Sequence, residues 1–303
     1  MSLRELGARL RRMVARRREL VGINRRNVEL VYAHNPRRHY PIADDKLLAK
    51  QHLGRAGVPV PDTLVVCDGL FAIPRVLARL GKEAHFVVKP ASGSGGQGIL
   101  VVGERLSEPG WRRAGGAPLS AHELHRHLAE ICLGAHSGQL DDRAFVEKRI
   151  VPHALFAELW ADGLCDVRVI TLHAGAVMAM IRVPTAQSGG RANLHQGGLG
   201  LAVDLASGRT FRAVHRGASV ARHPETGGAL LGLELPDWPG ILSVACRAAA
   251  AVPLGYLGCD VVVDAERGPL VLEINARPGL EIQNVNGVGL GPAVRKAEHE
   301  RNV

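Results

Sequence analysis

The stretch 257–279, near the C-terminus, constrains the fold of this chain more than any other. It contains two apolar, β-branched runs, 259–264 and 269–275, on either side of a polar turn at 265–268. Two such runs around a short polar turn predict a β-hairpin. If the turn closes simply, Asp264 pairs with Pro269, and every residue further along one strand has a defined partner on the other.

The register of this hairpin brings three oxygen-bearing side chains together. Counting outwards from the turn places Asp260 opposite Glu273. Because side chains alternate along a strand, Glu273 and Asn275 share one face. Cross-strand neighbours lie roughly 5 Å apart, so Asp260, Glu273 and Asn275 are predicted to converge on that face.

Three hard oxygen ligands suit Mg²⁺, which takes about six oxygens near 2.1 Å and completes its shell with water and nucleotide phosphate. A solvated sheet face with polar residues at alternate positions explains the same pattern. These residues alone do not decide between the two interpretations, so the choice depends on the other motifs of the chain.

Composition narrows the class of protein. With 303 residues, the chain can form two domains or one large one around a proper core. Its five cysteines show no metal-binding spacing, which is typical of reduced thiols in a cytosol. No apolar run reaches the roughly 18 residues of a membrane span, and the basic N-terminus lacks the apolar core of a secretory signal. We therefore expect a cytoplasmic protein, with peripheral membrane association left open.

Most of the net charge of +9 lies in the first forty residues, which hold eleven arginines against three acidic residues. Apolar spacing over 3–21 predicts a basic amphipathic helix, and the polar, turn-rich segment 24–41 predicts a linker. Such a helix can dock with its arginines solvated, lie on an anionic membrane surface, contact a protein partner or grip nucleic acid. Nucleic acid is the least favoured partner, because no aromatic residue for base stacking precedes Tyr32.

A glycine-rich loop, 90–98, joins two predicted strands, 85–89 and 99–102. Positions 93, 95 and 98 match G-x-G-x-x-G, but a dinucleotide site requires a helix after the loop, and a Walker loop requires a closing Lys-Ser or Lys-Thr. The favoured interpretation is a flap whose backbone N–H groups cover phosphates, with Lys89 adding a positive charge. An ordinary flexible hairpin is the alternative.

A helix is predicted from Ser120, which forms a capping box with Glu123. This helix carries three histidines, His122, His125 and His127. None has a metal-binding partner at a suitable spacing in the sequence. We therefore expect all three at the surface.

The runs 155–160, 166–172 and 176–183 predict a meander of strands. Asp166 and Arg168 share one face of the second strand, and Arg182 lies at the end of the third. The loop 191–198 that follows is polar and ends in glycine.

In this order, the motifs resemble those of the ATP-grasp superfamily, in particular the α-L-glutamate ligases that modify ribosomal protein and their ligase-like relatives. The resemblance covers about residues 44–290 and rests on D-V-R-V at 166–169, R-A-N-L-H-Q-G-G at 191–198 and E-I-N-A-R-P-G-L at 273–280. It implies an α+β ATP-grasp fold, in which two α/β subdomains grip ATP between antiparallel sheets after a short basic helical arm. The expected domains are 1–43 (arm and linker), 44–150 (N-terminal subdomain with the flap) and 151–303 (C-terminal subdomain with the metal-binding hairpin).

The resemblance also implies roles in nucleotide binding. Lys46 and Lys89 would hold the α- and β-phosphates. The adenine hinge would contain Glu147, which would accept the exocyclic amine, together with Lys148 and Ile150. The flap over the nucleotide would consist of Ser92, Gly93, Ser94, Gly95, Gly96, Gln97 and Gly98.

Metal binding and catalysis are implied for a second set of residues. Two Mg²⁺ ions, for which Mn²⁺ could substitute, would be bound by Asp260, Glu273 and Asn275. Arg168 and Arg182 would face the γ-phosphate and the acyl substrate, and Asn193 would lie beside the metals.

The implied reaction is the ATP-dependent joining of a carboxylate to an amine through an acyl-phosphate, adding an amino acid such as glutamate to a peptide or protein. An ATP-grasp kinase and a non-catalytic nucleotide-binding module are the alternatives, and the oligomeric state, including a homo-oligomer, is left open. The chain departs from the family in the short segment before Lys46. It also has a longer segment after Glu147, where Glu158 is the candidate ribose ligand. A third departure is Gly258, where some relatives have a phosphate-facing arginine.

Overall fold

The computed structural model describes residues 19–93, 95–106, 110–138 and 141–302. Most of the predicted helix over 3–21 and the flap residue Ser94 therefore lie outside the described residues. The chain divides into two compact units, one formed by Pro41–Val151 and the other by Met1–Tyr40 with Pro152–Val303. The predicted domain boundaries at 43/44 and 150/151 remain a prediction.

The strands, in chain order, are β1 (Thr63–Cys67), β2 (Phe86–Pro90), β3 (Leu100–Arg105), β4 (Gly110–Arg113), β5 (Pro118–Ser120), β6 (Ala144–Lys148), β7 (Asp166–Leu172), β8 (Gly175–Val183), β9 (Leu199–Val203), β10 (Thr210–His215), β11 (Ala218–Val220), β12 (Tyr256–Asp264) and β13 (Gly268–Asn275). The α-helices are α1 (Ile23–Arg25), α2 (Tyr40–Asp44), α3 (Lys46–Arg55), α4 (Ile73–Leu80), α5 (Ala121–Cys132), α6 (Ala154–Leu159), α7 (Trp238–Ala250), α8 (Glu281–Asn286) and α9 (Leu290–Asn302).

The unit Pro41–Val151 contains a six-stranded sheet in the order β1-β6-β2-β3-β4-β5. All neighbouring strands are antiparallel. Helices α4 and α5 contribute apolar side chains, such as Ile73 and Leu128, to one buried core with the strands. The capping box predicted at the start of α5 is confirmed, because Ser120 Oγ accepts from Glu123 N–H at 3.1 Å while Glu123 Oε2 accepts from Ser120 N–H at 2.8 Å.

The other unit contains a seven-stranded sheet in the order β11-β10-β9-β8-β7-β12-β13, again with antiparallel neighbours throughout. Helix α7 packs against β12 and β13. Two antiparallel sheets with packed helices confirm the predicted α+β class. Among the described residues, no helix combines the length and the apolar character needed to cross a bilayer.

Residues 24–41 differ from the sequence-based expectation. They form helical segments rather than a linker, including α1, a π-helical stretch at Arg26–Tyr32 and a 3₁₀ turn at Arg37–His39. Leu30 and Val31 are buried in the same core as residues of β7, β8 and β12, in the unit that includes Pro152–Val303. The side chain of Asn35 bridges β12 and the residue after β13, donating to Tyr256 O at 2.7 Å and to Ala276 O at 2.9 Å. The segment is mostly polar, so its composition did not predict these buried contacts.

Residues 155–160 also differ, since the predicted strand is helix α6. Phe156 and Leu159, three residues apart, are buried on one side of this helix, which is helical rather than alternating spacing. Glu158, the candidate ribose ligand, is exposed on the same helix.

Candidate active site

The hairpin predicted near the C-terminus is formed by β12 and β13, and Asp260 lies opposite Glu273 as expected. The turn, however, is one residue tighter than predicted, because Asp264 pairs with Gly268. Gly268 has a φ of 73°, a conformation that favours glycine. The register then shifts by one residue between Asp260 and Val261, which leaves Leu272 as the extra residue of a β-bulge. The bulge restores the predicted pairing.

Asp260 is the centre of a buried charge cluster on the face of the sheet. It is 3% exposed, and its cross-strand neighbour on β7 is Arg168. The Arg168 guanidinium donates from Nε to Asp260 Oδ1 and from Nη2 to Asp260 Oδ2, both at 2.7 Å. Arg182, on β8, also donates to Asp260 Oδ2. One carboxylate therefore holds two guanidinium groups.

A second aspartate extends this cluster. Asp166 pairs with Arg182 across β7 and β8, and Arg182 donates to its two oxygens at 2.6 and 2.8 Å. The side chain of Asn275 joins the other end. In the amide orientation that satisfies both neighbours, its nitrogen donates to Glu273 Oε1 and its oxygen accepts from Arg168 Nη2, each at 3.2 Å. Asp260, Glu273 and Asn275 therefore converge, together with both arginines.

The two aspartates have opposite pKa shifts. Burial and the neighbouring Asp260 raise the pKa of Asp166 to about 6, even though Arg182 acts in the other direction. Burial would also raise the pKa of Asp260, but Arg168 and Arg182 outweigh it and hold that pKa below its ordinary value. The pKa of Arg182 is raised by the two aspartates despite its burial. Asp260 is thus a carboxylate, and Arg182 a cation, at neutral pH.

Gly258 lies two residues before Asp260 on β12. A Cβ atom at this position would lie 2.7 Å from Pro278 Cβ. The chain therefore has no room here for a longer side chain without a shift of Pro278, which accounts locally for the glycine.

The predicted phosphate-binding residues lie in the unit Pro41–Val151. Lys46 is the first residue of α3, and its Nζ donates to Gly93 O in the flap at 2.6 Å. Strands β2 and β3 flank the flap, as predicted, and pair antiparallel. The described flap glycines, at 93, 95, 96 and 98, all have positive φ. Ser92 N–H donates to Asp142 Oδ1 at 3.1 Å, and Gln97 is exposed.

Glu147, on β6, is 2% exposed and holds two lysines. One of its oxygens accepts from Lys50 and the other from Lys89. Burial alone would raise the pKa of Glu147, but the two lysines lower it below its ordinary value. Acceptance of an adenine amine by Glu147 stays a prediction. Lys148 is exposed at the end of β6 and Ile150 is half-buried, and their hinge role is likewise untested.

Lys50 is a residue that sequence reasoning missed. Its Nζ donates to Pro61 O at 2.6 Å as well as to Glu147. Burial lowers the pKa of Lys50, and Glu147 opposes that shift. Spacing could have identified Lys50 as a site residue, because it lies four residues after Lys46 and therefore on the same face of α3.

Asn193 has a different surrounding from the one expected. Its Oδ1 accepts from His195 N–H at 3.0 Å and so caps the short 3₁₀ helix Leu194–Gln196. Within the described ranges it makes no hydrogen bond to Asp260, Glu273 or Asn275. Its position beside the metals stays a prediction.

The fold places the chain in a known structural class. It superposes on the biotin carboxylase–β-γ-ATP complex from Campylobacter jejuni with a TM-score of 0.52, at 18% identity, over 85% of this chain and 46% of that one. The model of the sugar-transfer associated ATP-grasp family matches residues 25–299, and the chain belongs to this family. The predicted ATP-grasp superfamily is thereby confirmed.

The chain is also similar to individual known proteins. A probable α-L-glutamate ligase of Xanthomonas oryzae pv. oryzae (strain MAFF 311018) is 27% identical over 264 residues, covering 87% of this chain and 67% of its own length. The resemblance to α-L-glutamate ligases is therefore confirmed at the level of sequence. The structure of the ATP-grasp ligase PsnB with minimal precursor, Mg and ADP is 18% identical over 89% of this chain and 62% of its own, with a TM-score of 0.46. The chain spans about two thirds of the length of these relatives.

Proposed function

We propose that this chain is an ATP- and Mg²⁺-dependent carboxylate–amine ligase that works through an acyl-phosphate. The observation that carries the proposal is the convergence of Asp260, Glu273 and Asn275 with two arginines, in a member of an ATP-grasp family. The amide product would join an amino acid, such as glutamate, to a peptide or protein.

The donor set fits Mg²⁺. Carboxylate and amide oxygens are the ligands that this ion prefers. Asp260 Oδ1 accepts one hydrogen bond from the described residues, which leaves a second lone pair for a cation. In the surrounding cluster two guanidinium groups face three carboxylates, so a divalent ion would be electrostatically favoured. When bound there, Mg²⁺ would neutralise phosphate charge, and a second Mg²⁺ or a Mn²⁺ ion would suit the same oxygens.

The phosphates would be held by lysines. Lys46 already contacts a carbonyl of the flap, so its charge lies beside the loop that would cover the phosphates. Lys89 is held in place by Glu147. Its ammonium group is thus ordered before a nucleotide arrives, which reduces the entropy lost on binding.

The two arginines would stabilise the charge of the transferring phosphoryl group. Bidentate pairing fixes Arg168 against Asp260 and Arg182 against Asp166. Fixed donors aimed at developing charge need no reorganisation during the reaction. The raised pKa of Arg182 keeps its charge constant over the working pH range.

Glu273→Ala tests the metal assignment. The variant should lose Mg²⁺-dependent nucleotide binding and about two or more orders of magnitude in ADP release. The matched control is Glu266→Ala, which removes an exposed carboxylate from the turn of the same hairpin. Near-normal turnover in Glu273→Ala would reject the proposed metal site.

The reaction type is tested by varying the substrates. ADP release should require both a carboxylate and an amine. ADP release with no amine, and a stable phosphorylated product, would identify a kinase. ATP binding without any turnover in cell extract would identify a non-catalytic module. Mass spectrometry of extract incubated with the protein, ATP and labelled amino acids would reveal the product.

A further inference from the structure

Two histidines and a glutamate meet beside the flap, in the unit Pro41–Val151. His127 and Glu130 are three residues apart on α5 and therefore lie on one face. His136 lies in the turn that follows the helix. A ligand atom from each of the three lies within 4.8 Å of the other two, and His136 Nε2 is 4.0 Å from Glu130 Oε2. The sequence predicted a surface position for His127, but this residue is half-buried, and His136, which lies outside the helix, is next to it.

The hydrogen bonds of the two imidazoles leave nitrogen atoms available to a ligand. His127 Nε2 lies 3.0 Å from Gly98 O in the flap. If Nε2 carries the proton and donates to the carbonyl, Nδ1 has a free lone pair for a metal. Metal-binding histidines usually donate their other ring N–H to a carbonyl or carboxylate in this way. His136 Nε2 is buried and has no hydrogen-bond partner among the residues that the structure describes. A buried nitrogen without a partner is unfavourable unless something binds it.

We infer that His127, Glu130 and His136 form a transition-metal site, for which Zn²⁺ is the best-suited ion. Two imidazoles and one carboxylate are a donor set that Zn²⁺ favours, with a fourth position left for water. Ligand atoms around tetrahedral zinc are roughly 3.4 Å apart, so atoms that lie up to 4.8 Å apart here need to approach by up to about 1.4 Å. Glu130 is exposed, and its flexible side chain can shorten its distances to the two imidazoles.

The surroundings are compatible with metal entry. A cavity of about 200 Å³ is lined in part by His127 and Glu130, two of the three proposed ligands. Arg126 lies 3.8 Å from Glu130 in an exposed ion pair, which zinc would replace at little cost.

A metal at this site would also hold the flap. Gly98, at the end of the flap, packs so closely on His136 that a Cβ atom would lie 2.7 Å from His136 Cγ. His127 contacts the carbonyl of the same residue. Fixing both rings would therefore restrict the flap backbone. This inference is independent of the proposed ligase reaction.

Zinc binding by the full chain tests the site. The protein, in excess Mg²⁺, is titrated with Zn²⁺ against a chromogenic chelator, and one equivalent should bind. Glu130→Gln, an exposed change that should not disturb folding, and His136→Ala should weaken binding by more than the roughly 10–100-fold that loss of an outer-shell partner costs. His125→Ala, an exposed histidine on the same helix, and Glu273→Ala, in the hairpin, should bind zinc like the wild type.

Absence of saturable binding would overturn the site, as would equal affinity in Glu130→Gln, His136→Ala and wild type. Loss of zinc in Glu273→Ala alone would place the ion in the hairpin instead and would also overturn it. The link to the flap is tested by amide hydrogen exchange over 95–102, which zinc should slow in the wild type and not in His136→Ala. Unchanged exchange in the zinc-loaded wild type would refute that link.

Discussion

The Glu147 cluster offers a direct test of how a buried charge is compensated. Glu147→Gln removes the carboxylate and leaves Lys50 and Lys89 facing each other, with side chains only 12% and 11% exposed. Breaking a buried ion pair on one side costs about 3–5 kcal/mol. We expect Glu147→Gln to lose about 3 kcal/mol of unfolding free energy, the lower end of this range. Burial already lowers the pKa of Lys50, so Lys50 can release its proton instead of remaining charged.

The assay is native-state hydrogen exchange of the amides in β2 and β6, whose protection reports the opening free energy of this unit. Lys50→Met is the matched comparison. It removes one cation and leaves the Lys89–Glu147 pair balanced, so its cost should be smaller. The double variant Glu147→Gln with Lys50→Met should recover part of the stability lost in Glu147→Gln, since it removes the repulsion between the lysines.

A Glu147→Gln protein within about 1 kcal/mol of the wild type would refute this reasoning. The same variant separates two roles of Glu147. If the carboxylate mainly orders Lys89, its loss should weaken ATP and GTP binding equally. If it accepts an adenine amine, its loss should change the preference between the two nucleotides.

Three further outcomes are expected. The folded-state pKa of Asp166 is raised to about 6 from an ordinary value of 3.8, so the contribution of Asp166 to stability falls as pH rises from about 4 to 6. The free energy of unfolding of the wild type, measured against Asp166→Asn, should decrease across that window. A constant difference between the two proteins would contradict the raised pKa. Gly268→Ala, at a φ of 73°, should lose about 1–2 kcal/mol in chemical denaturation, while Gly279→Ala, whose Cβ meets nothing within 4 Å, should be near neutral. Removal of residues 1–18, which spares the buried Val21, should abolish binding to phosphatidylserine vesicles if the basic arm contacts membranes, with ATP binding retained; equal vesicle binding would exclude that role.

Local sequence patterns were sufficient to predict features that depend only on residues close together in the chain. Alternation of side chains and a polar turn predicted that Asp260 faces Glu273, and this pairing is present. The details of that agreement are less simple, because a tighter turn and the bulge at Leu272 offset each other by one residue. Neither could be deduced from alternation, since both depend on local backbone geometry and on how β12 is held by its other neighbour.

The sequence by itself determined the hairpin, the residue types that meet on it and the two strands that flank the flap, whereas the strand that it predicted at 155–160 is helix α6. Only the tertiary structure decided that β7 lies beside β12, which brings Arg168 to Asp260 across 92 residues of chain. The same holds for Glu147 with its two lysines, and for His136 with His127 and Glu130. Side-chain direction follows from the backbone within a few residues, whereas the choice of neighbouring strand or turn depends on packing the whole core. The charge clusters with shifted pKa values depend on that packing, so the sequence alone could not predict them.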